Sequence, residues 1–232
     1  MKSTIIKIAA IFLFSSFSQA QTQSDEWNLV ANSQDNYYGV AMANGQIGIV
    51  TDATPLKTKE IILNGVYDGS PENGISRIVR GIEFLNLRLV INGEEVTASN
   101  IDKWEQVVAM KEGTSTTSFR FKDIAAIEYT ILANRALPFS AMAIVKITPL
   151  KDIEMTAANY MTVPEELKQA KRQFRVLKDN QYLMPVFGTT AQTLTGKYKV
   201  AASTTFLFDG TSETLEPKGD EVGFSKKLSK GK

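Results

Sequence analysis

Carboxylates are the side chains in this sequence best suited to chemistry: the pairs Glu94-Glu95 and Glu165-Glu166, and Asp68 directly after Tyr67. Two carboxyl groups on either side of a glycosidic bond can serve as acid and as base or nucleophile, provided they leave room for the attacking group. Most other catalytic chemistries are closed, because the chain contains no histidine and no cysteine. That removes a Ser-His-Asp triad, a His-ligated zinc site, thiolate nucleophiles and disulfides. Calcium would require clustered oxygen ligands, and no Asp-x-Asp-x-Asp-Gly loop is present, so neither a metal nor a cofactor is expected.

The spacing of the carboxylates argues against a dyad. Glu94 and Glu95 are consecutive beside an Asn92-Gly93 turn, and neighbouring strand residues point to opposite faces. Glu165 and Glu166 open a charged stretch, where they would complement a helix dipole. Asp68 in its Asn-Gly-rich surroundings suits a turn. No catalytic residue is therefore assigned. For contact with a sugar the useful types are exposed aromatic rings near amides, since a flat ring covers the C–H face of a pyranose. Trp27, Tyr37, Tyr38, Tyr67 and Trp104 qualify by type, and Trp104 suits a packing role, as tryptophan is usually well buried. Tyr37, Tyr38, Tyr67 and Asp68 are the candidate carbohydrate contacts.

The elements that must position these residues are strands. Apolar and polar residues alternate with period two through most of the chain, and turn residues recur at short intervals. Strands are expected at Ile82 to Ile91, at Glu94 to Ala98, and at 116–122, 125–133, 140–148, 153–159, 181–187 and 197–208. Asn44-Gly45, Asn64-Gly65 and Asn92-Gly93 supply the positive φ of tight hairpins. This predicts an all-β, antiparallel β-sandwich in one domain over 21–232. One segment departs from the pattern: Pro164 to Arg175 begins with proline and two glutamates and ends in basic residues, which predicts a short surface helix. Near the C-terminus Val222, Phe224 and Leu228 begin another alternating strand, and no return strand follows before Lys232. The expectation is a domain truncated there, with an unpaired sheet edge.

Residues 1–20 have the form of a secretory signal: Lys2 and Lys7, an apolar run from Ile8 to Phe14, and Ser18-Gln19-Ala20 at the cleavage site near Ala20. The run is shorter than the ~20 residues that cross a bilayer. The mature chain is expected in the periplasm or outside the cell, with no membrane attachment after cleavage. Removing Lys2 and Lys7 leaves 24 basic against 25 acidic residues. So balanced a charge carries no footprint for nucleic acid; an uncharged partner such as a sugar is compatible with it, though the balance is no evidence for one.

Several short motifs occur in a particular order. Ala43-Asn44-Gly45-Gln46-Ile47-Gly48 is followed by Asn64-Gly65-Val66-Tyr67-Asp68 and by Asn86-Leu87-Arg88-Leu89-Val90-Ile91-Asn92-Gly93-Glu94. Trp104-Glu105-Gln106, Met110-Lys111-Glu112-Gly113 and Thr117-Ser118-Phe119-Arg120-Phe121 complete the series. In order and spacing this resembles the N-terminal domain of glycoside hydrolase family 65, which comprises phosphorylases and hydrolases of α-linked disaccharides such as maltose, trehalose and kojibiose. The resemblance covers roughly residues 35–148. It implies a supersandwich-like domain that supports a separate helical catalytic barrel and helps form a homo-oligomer. It also implies an α-glucoside as the carbohydrate partner of the whole protein, with the catalytic groups on the barrel. A stand-alone carbohydrate-binding or surface-interaction module is the alternative. A β-sandwich mutarotase is disfavoured by the missing histidine.

Overall fold

The computed structural model describes residues 26–69, 74–178, 183–210 and 213–231. The expected signal over residues 1–20 lies outside them. Among the described residues the chain is all-β, with seventeen strands and no helix, and every pairing is antiparallel. One five-stranded sheet runs in the order β1 (Asn28–Ala31), β8 (Ile101–Ala109), β9 (Thr114–Phe121), β10 (Ala125–Ala133), β11 (Ala141–Pro149). A second runs β16 (Glu216–Lys218), β17 (Glu221–Leu228), β12 (Ile153–Tyr160), β6 (Leu87–Ile91), β7 (Glu94–Glu95). A four-stranded sheet holds β2 (Ala41–Ala43), β3 (Ile47–Thr51), β4 (Thr58–Gly69) and β5 (Ser76–Gly81), and a three-stranded sheet holds β13 (Leu167–Lys178), β14 (Leu183–Thr193) and β15 (Lys199–Thr204).

Period-two alternation decides which faces meet. In β10 the buried positions are Ala125, Ile127, Tyr129 and Ile131, and in β9 the apolar ones are Phe119 and Phe121. These pack in one core with Leu89 and Ile91 of β6, Ile153 and Met155 of β12, and Met42, Ile49 and Ile61 of the four-stranded sheet. A second core joins Val79 of β5, Leu167, Phe187 and Val200 of the three-stranded sheet, and Val222 of β17. Full burial of each large apolar side chain contributes about 1.5–3 kcal/mol, against about 0–1 kcal/mol for an exposed ion pair. Packing therefore outweighs the surface charges in holding the sheets together.

Strand β10 spans the residues expected from the sequence, and Asn92-Gly93 forms the expected hairpin, with φ of 50° and 82° at its two centres. Two positive φ values are the signature of a type I′ turn. The strand expected from Ile82 is shorter, because residues 82–86 leave the ladder: Glu83 bridges to Thr162 and the side chain of Asn86 is buried. Likewise the strand after Gly93 covers Glu94–Glu95 only, and β14 extends to Thr193.

Asn64-Gly65 is not a hairpin turn. It lies inside the twelve-residue β4, where pairing with β5 jumps from Ile62↔Arg80 to Tyr67↔Ile78. On its other side β4 continues the register of its pairing with β3, which brings the two Asn-Gly pairs together: Asn64 donates its Nδ2 to the Gly45 carbonyl at 2.7 Å and its backbone N–H to the Gln46 carbonyl at 2.9 Å.

The helix expected over Pro164 to Arg175 is corrected to strand. Leu167–Lys178 pairs along its length with β14. Between Lys168 and Lys171 the ladder holds one residue more than its partner, and Gln169 there takes φ 54°. The extra residue shifts the alternation by one. Leu167 and Phe174 therefore reach the same core despite their odd separation. That seven-residue interval imitates a helical period, and the lysine- and glutamate-rich composition completes the resemblance to a helix.

The expected unpaired C-terminal strand is also corrected. β17 lies within its sheet, paired with β12 over eight residues and with β16 over three.

Candidate functional site

The four candidate contact residues form two pairs at opposite ends of β4. Tyr37 and Tyr38 lie near its start, where the Lys59 ammonium donates to the Tyr38 carbonyl at 3.2 Å. Tyr67 and Asp68 lie near its end. At about 3.3 Å per strand residue, Lys59 and Tyr67 stand some 20–26 Å apart, the bulge shortening the span. A disaccharide cannot bridge that distance.

Tyr37 is turned inward. Its hydroxyl lies 2.5 Å from Thr51 Oγ1 and donates to Gln106 Oε1, and its ring meets Trp104 edge-on at 5.6 Å. Trp104 is buried, in line with a packing role. Gln106 in turn donates Nε2 to Thr117 Oγ1 at 2.8 Å, so the group links the segment before β2 to β3, β8 and β9. Burial pushes the Tyr37 hydroxyl above its ordinary pKa, although its hydrogen-bond partners pull the other way. Tyr38 is the contrasting case: its side chain is 80% exposed.

Tyr67 is half-exposed, and Asp68 is tied to a distant turn. Thr195 donates its hydroxyl to Asp68 Oδ1 at 2.5 Å and its N–H to Oδ2 at 3.3 Å, while Gly69 N–H donates to Oδ1 at 3.0 Å. The Thr195 hydroxyl is the main reason the Asp68 pKa lies below the usual carboxyl value. A general acid requires the opposite shift.

Three of the four paired glutamates, Glu94, Glu165 and Glu166, are held in ion pairs. Arg80 of β5 gathers three carboxylates: Glu166 at 2.6 Å, Glu165 at 3.3 Å and Glu60 of β4 at 3.6 Å. Three carboxylates on one guanidinium leave no gap for a sugar ring between them. Glu94 pairs with Lys122, which is the main reason its pKa is lowered, and accepts from Asn100 at 3.1 Å. Arg88 of β6 forms a bidentate pair with Glu221 of β17, spanning the intervening β12.

Glu83 is the carboxyl group whose pKa is shifted upward, and sequence reasoning passed over it because it sits alone in an apolar-looking stretch. It is buried between the two cores, accepts from Asn86 Nδ2 at 3.1 Å, and has its backbone paired with Thr162. Desolvation raises its pKa, and the hydrogen bonds from Asn86 and Thr162 only partly offset this. A raised carboxyl pKa suits a general acid, but Glu83 is buried and its carboxyl group is held by Asn86. The group belongs to a polar plug with Thr58, Asn86, Asn159 and Thr162.

The plug has a measurable pH signature. Because its folded pKa is raised, the native state holds the Glu83 proton more tightly than the unfolded chain does. The contribution of Glu83 is thus most favourable below the unfolded value and declines as pH rises from there through the folded value. In Glu83→Gln this decline disappears. The difference in urea midpoint between parent and variant therefore shifts in favour of the variant from about pH 4 upward. A difference independent of pH would remove the burial argument.

Comparison with known proteins agrees with this fold. Residues 39–231 match the N-terminal domain of glycosyl hydrolase family 65. A kojibiose hydrolase of Flavobacterium johnsoniae is 36% identical over 242 aligned residues, and one of Mucilaginibacter mallensis is 32% identical over 241. Both alignments cover 100% of this chain but only 36% and 35% of the relatives, so the chain spans about a third of their length. A solved chain assigned as a kojibiose phosphorylase, from the human microbiome, superposes with a TM-score of 0.65 at 13% identity, covering 88% of this chain and 30% of its own, which supports the fold alone. With most of its length matched in order, this chain belongs to the N-terminal domain family of glycosyl hydrolase family 65.

Proposed function

We propose that this chain is the non-catalytic front domain of a longer, secreted enzyme that cleaves α-linked glucosides, kojibiose being the first substrate to try. The observation that carries this reading is the family match over 39–231 in a chain spanning about a third of its kojibiose hydrolase relatives. The carboxylates support it: Glu60, Glu94, Glu165 and Glu166 are held in ion pairs, Asp68 is shifted the wrong way for an acid, and Glu83 is enclosed. Secretion is supported by the signal-like residues 1–20. Among the candidate contacts, Tyr38 and Tyr67 offer exposed rings to a carbohydrate or to a neighbouring domain. Their positions at opposite ends of β4 do not favour a stand-alone sugar-binding face.

The test is glucose release. The 232-residue chain and the reading frame continued past Lys232 are each incubated with kojibiose, maltose and trehalose, with and without phosphate. Cleavage by the longer protein and none by the short chain is the expected outcome. Turnover by the short chain would overturn the non-catalytic assignment, and inactivity of a folded longer protein on all three sugars would overturn the substrate class.

A further inference from the structure

Strand β11 is the outermost strand of its sheet, and among the described residues no strand pairs with its outer side. The direction of its backbone groups follows from one bond, because successive residues of an antiparallel strand alternate. Leu150 donates its N–H to Ile124 on the β10 side at 2.8 Å. By alternation, Ala141, Ala143, Val145, Ile147 and Pro149 turn their backbone groups outward. The Pro149 carbonyl is already occupied: Gly231 donates its N–H to it at 3.0 Å. Lys230 is fixed just before, its N–H on Asp152 Oδ1 at 2.8 Å. The chain leaving β17 thus arrives at the open edge of β11 with the first rung of a ladder in place.

Beside that edge, between the two five-stranded sheets, is a cavity of about 590 Å³. Its walls are largely apolar, with Val145 and Ile147 of β11 on one side and Leu89, Met155, Phe206 and Phe224 among those opposite. Unpaired backbone groups along one side and apolar walls below are what an additional strand requires. The other end of the described chain, Glu26 leading into β1, lies at the opposite edge of the sheet. The relatives are nearly three times as long as this chain, and it is the C-terminal end that reaches β11.

We infer that the residues following Lys232 in the longer protein form a β-strand laid antiparallel along β11, running from Pro149 toward Ala141. Alternate side chains of that strand fill the cavity between the sheets. About eight residues suffice for the span. The inference rests on the proposed function only in taking the chain as the front part of a longer protein.

Hydrogen exchange on β11 tests it, comparing the 232-residue chain with the longer protein. The outward amides of Ala143, Val145 and Ile147 exchange freely in the short chain and slow about a hundredfold in the longer one, while the inward amides of Ile144 and Lys146 are protected in both. Proline provides a second measurement. Val145→Pro removes an outward N–H that β10 does not use, so it leaves the Tm of the short chain within about 2 °C and lowers that of the longer protein by about 5 °C or more. Lys146→Pro, the control, destabilises both.

Outward amides that exchange equally in the two proteins would overturn the inference, as would an equal effect of Val145→Pro or a reading frame that stops at Lys232. Protection in the short chain that grows with concentration would identify a second copy as the occupant and overturn it as well. If β11 is covered but the longer protein cleaves no α-glucoside, the proposed function falls and this inference stands.

Discussion

Gly223→Ala lowers the stability of the chain by about 3 kcal/mol, read as a fall in Tm of about 6–12 °C for a domain of this size. Gly223 sits in β17 opposite Ala158 of β12, in a register of eight consecutive pairs. A Cβ at this position would press on the Ala157 carbonyl oxygen and stand 2.9 Å from both Cα and Cβ of Ala158. The obstructing atoms are backbone and a short methyl, which have no rotamer by which to withdraw. Relief requires β17 to move away from β12, and Val222 beside it belongs to the second core. Gly45→Ala is the informative comparison. A methyl at Gly45 would meet nothing within 4 Å beyond its chain neighbours, but φ there is 90°, so the cost comes from backbone conformation alone and is about 1 kcal/mol. Equal Tm values for the two variants would show that the β12–β17 contact is looser than described.

Asn86→Ala costs about 3–5 kcal/mol, because every hydrogen-bonding position of this fully buried amide is in use. Its Oδ1 accepts from Thr58 N–H at 2.8 Å and from the Thr58 hydroxyl at 3.0 Å. Its Nδ2 donates to Glu83 Oε2 at 3.1 Å and to Thr162 Oγ1 at 3.0 Å. Truncation leaves an N–H, two hydroxyls and a carboxyl group without these partners, at about 1–3 kcal/mol for each group left unsatisfied. Some of that is recovered where Thr58 and Thr162 find each other or water. Asn86→Asp keeps the shape but places a second carboxyl group against Glu83, so its deficit is largest near neutral pH and shrinks on acidification. Chemical denaturation of the two variants across pH checks both statements. A loss under about 1 kcal/mol in Asn86→Ala would mean the plug is not the joint between the cores.

This second case shows how differently a motif reads before and after folding. Asn86 stands at the head of the Asn86-Leu87-Arg88-Leu89 run that carries the family resemblance, and nothing in its neighbours along the chain distinguishes it from a surface turn residue. Its importance arises from Thr58, Thr162 and Asn159, which lie 28, 76 and 73 residues away. Tyr37 is similar. Its neighbours Asn36 and Tyr38 suggest exposure, yet Gln106, 69 residues along, draws its hydroxyl into the interior.

Where local pattern and tertiary environment agree, the sequence was legible. Strand β10 is bounded by turns and alternates strictly, because one face lies on the core and the other faces away. Asn92-Gly93 was legible for a related reason: a two-residue type I′ turn depends on the φ preferences of its own residues and on little else. The bulges were not legible. A bulge is a relation between two strands, and the residues of only one of them show no sign of it. In β4 it converts an expected turn into a strand interior, and in β13 it makes a strand imitate a helix.

The sequence by itself determined the all-β class with antiparallel pairing, the family, and the exclusion of histidine and thiol chemistry. All of these follow from residue type, short-range periodicity or the order of motifs along the chain. The tertiary structure alone decided which carboxylates are neutralised by arginine or lysine, which is buried, which tyrosines remain exposed, and that β11 keeps an open edge. Those outcomes depend on partners far apart in sequence, since charge pairing, desolvation and strand register are set by distance in space.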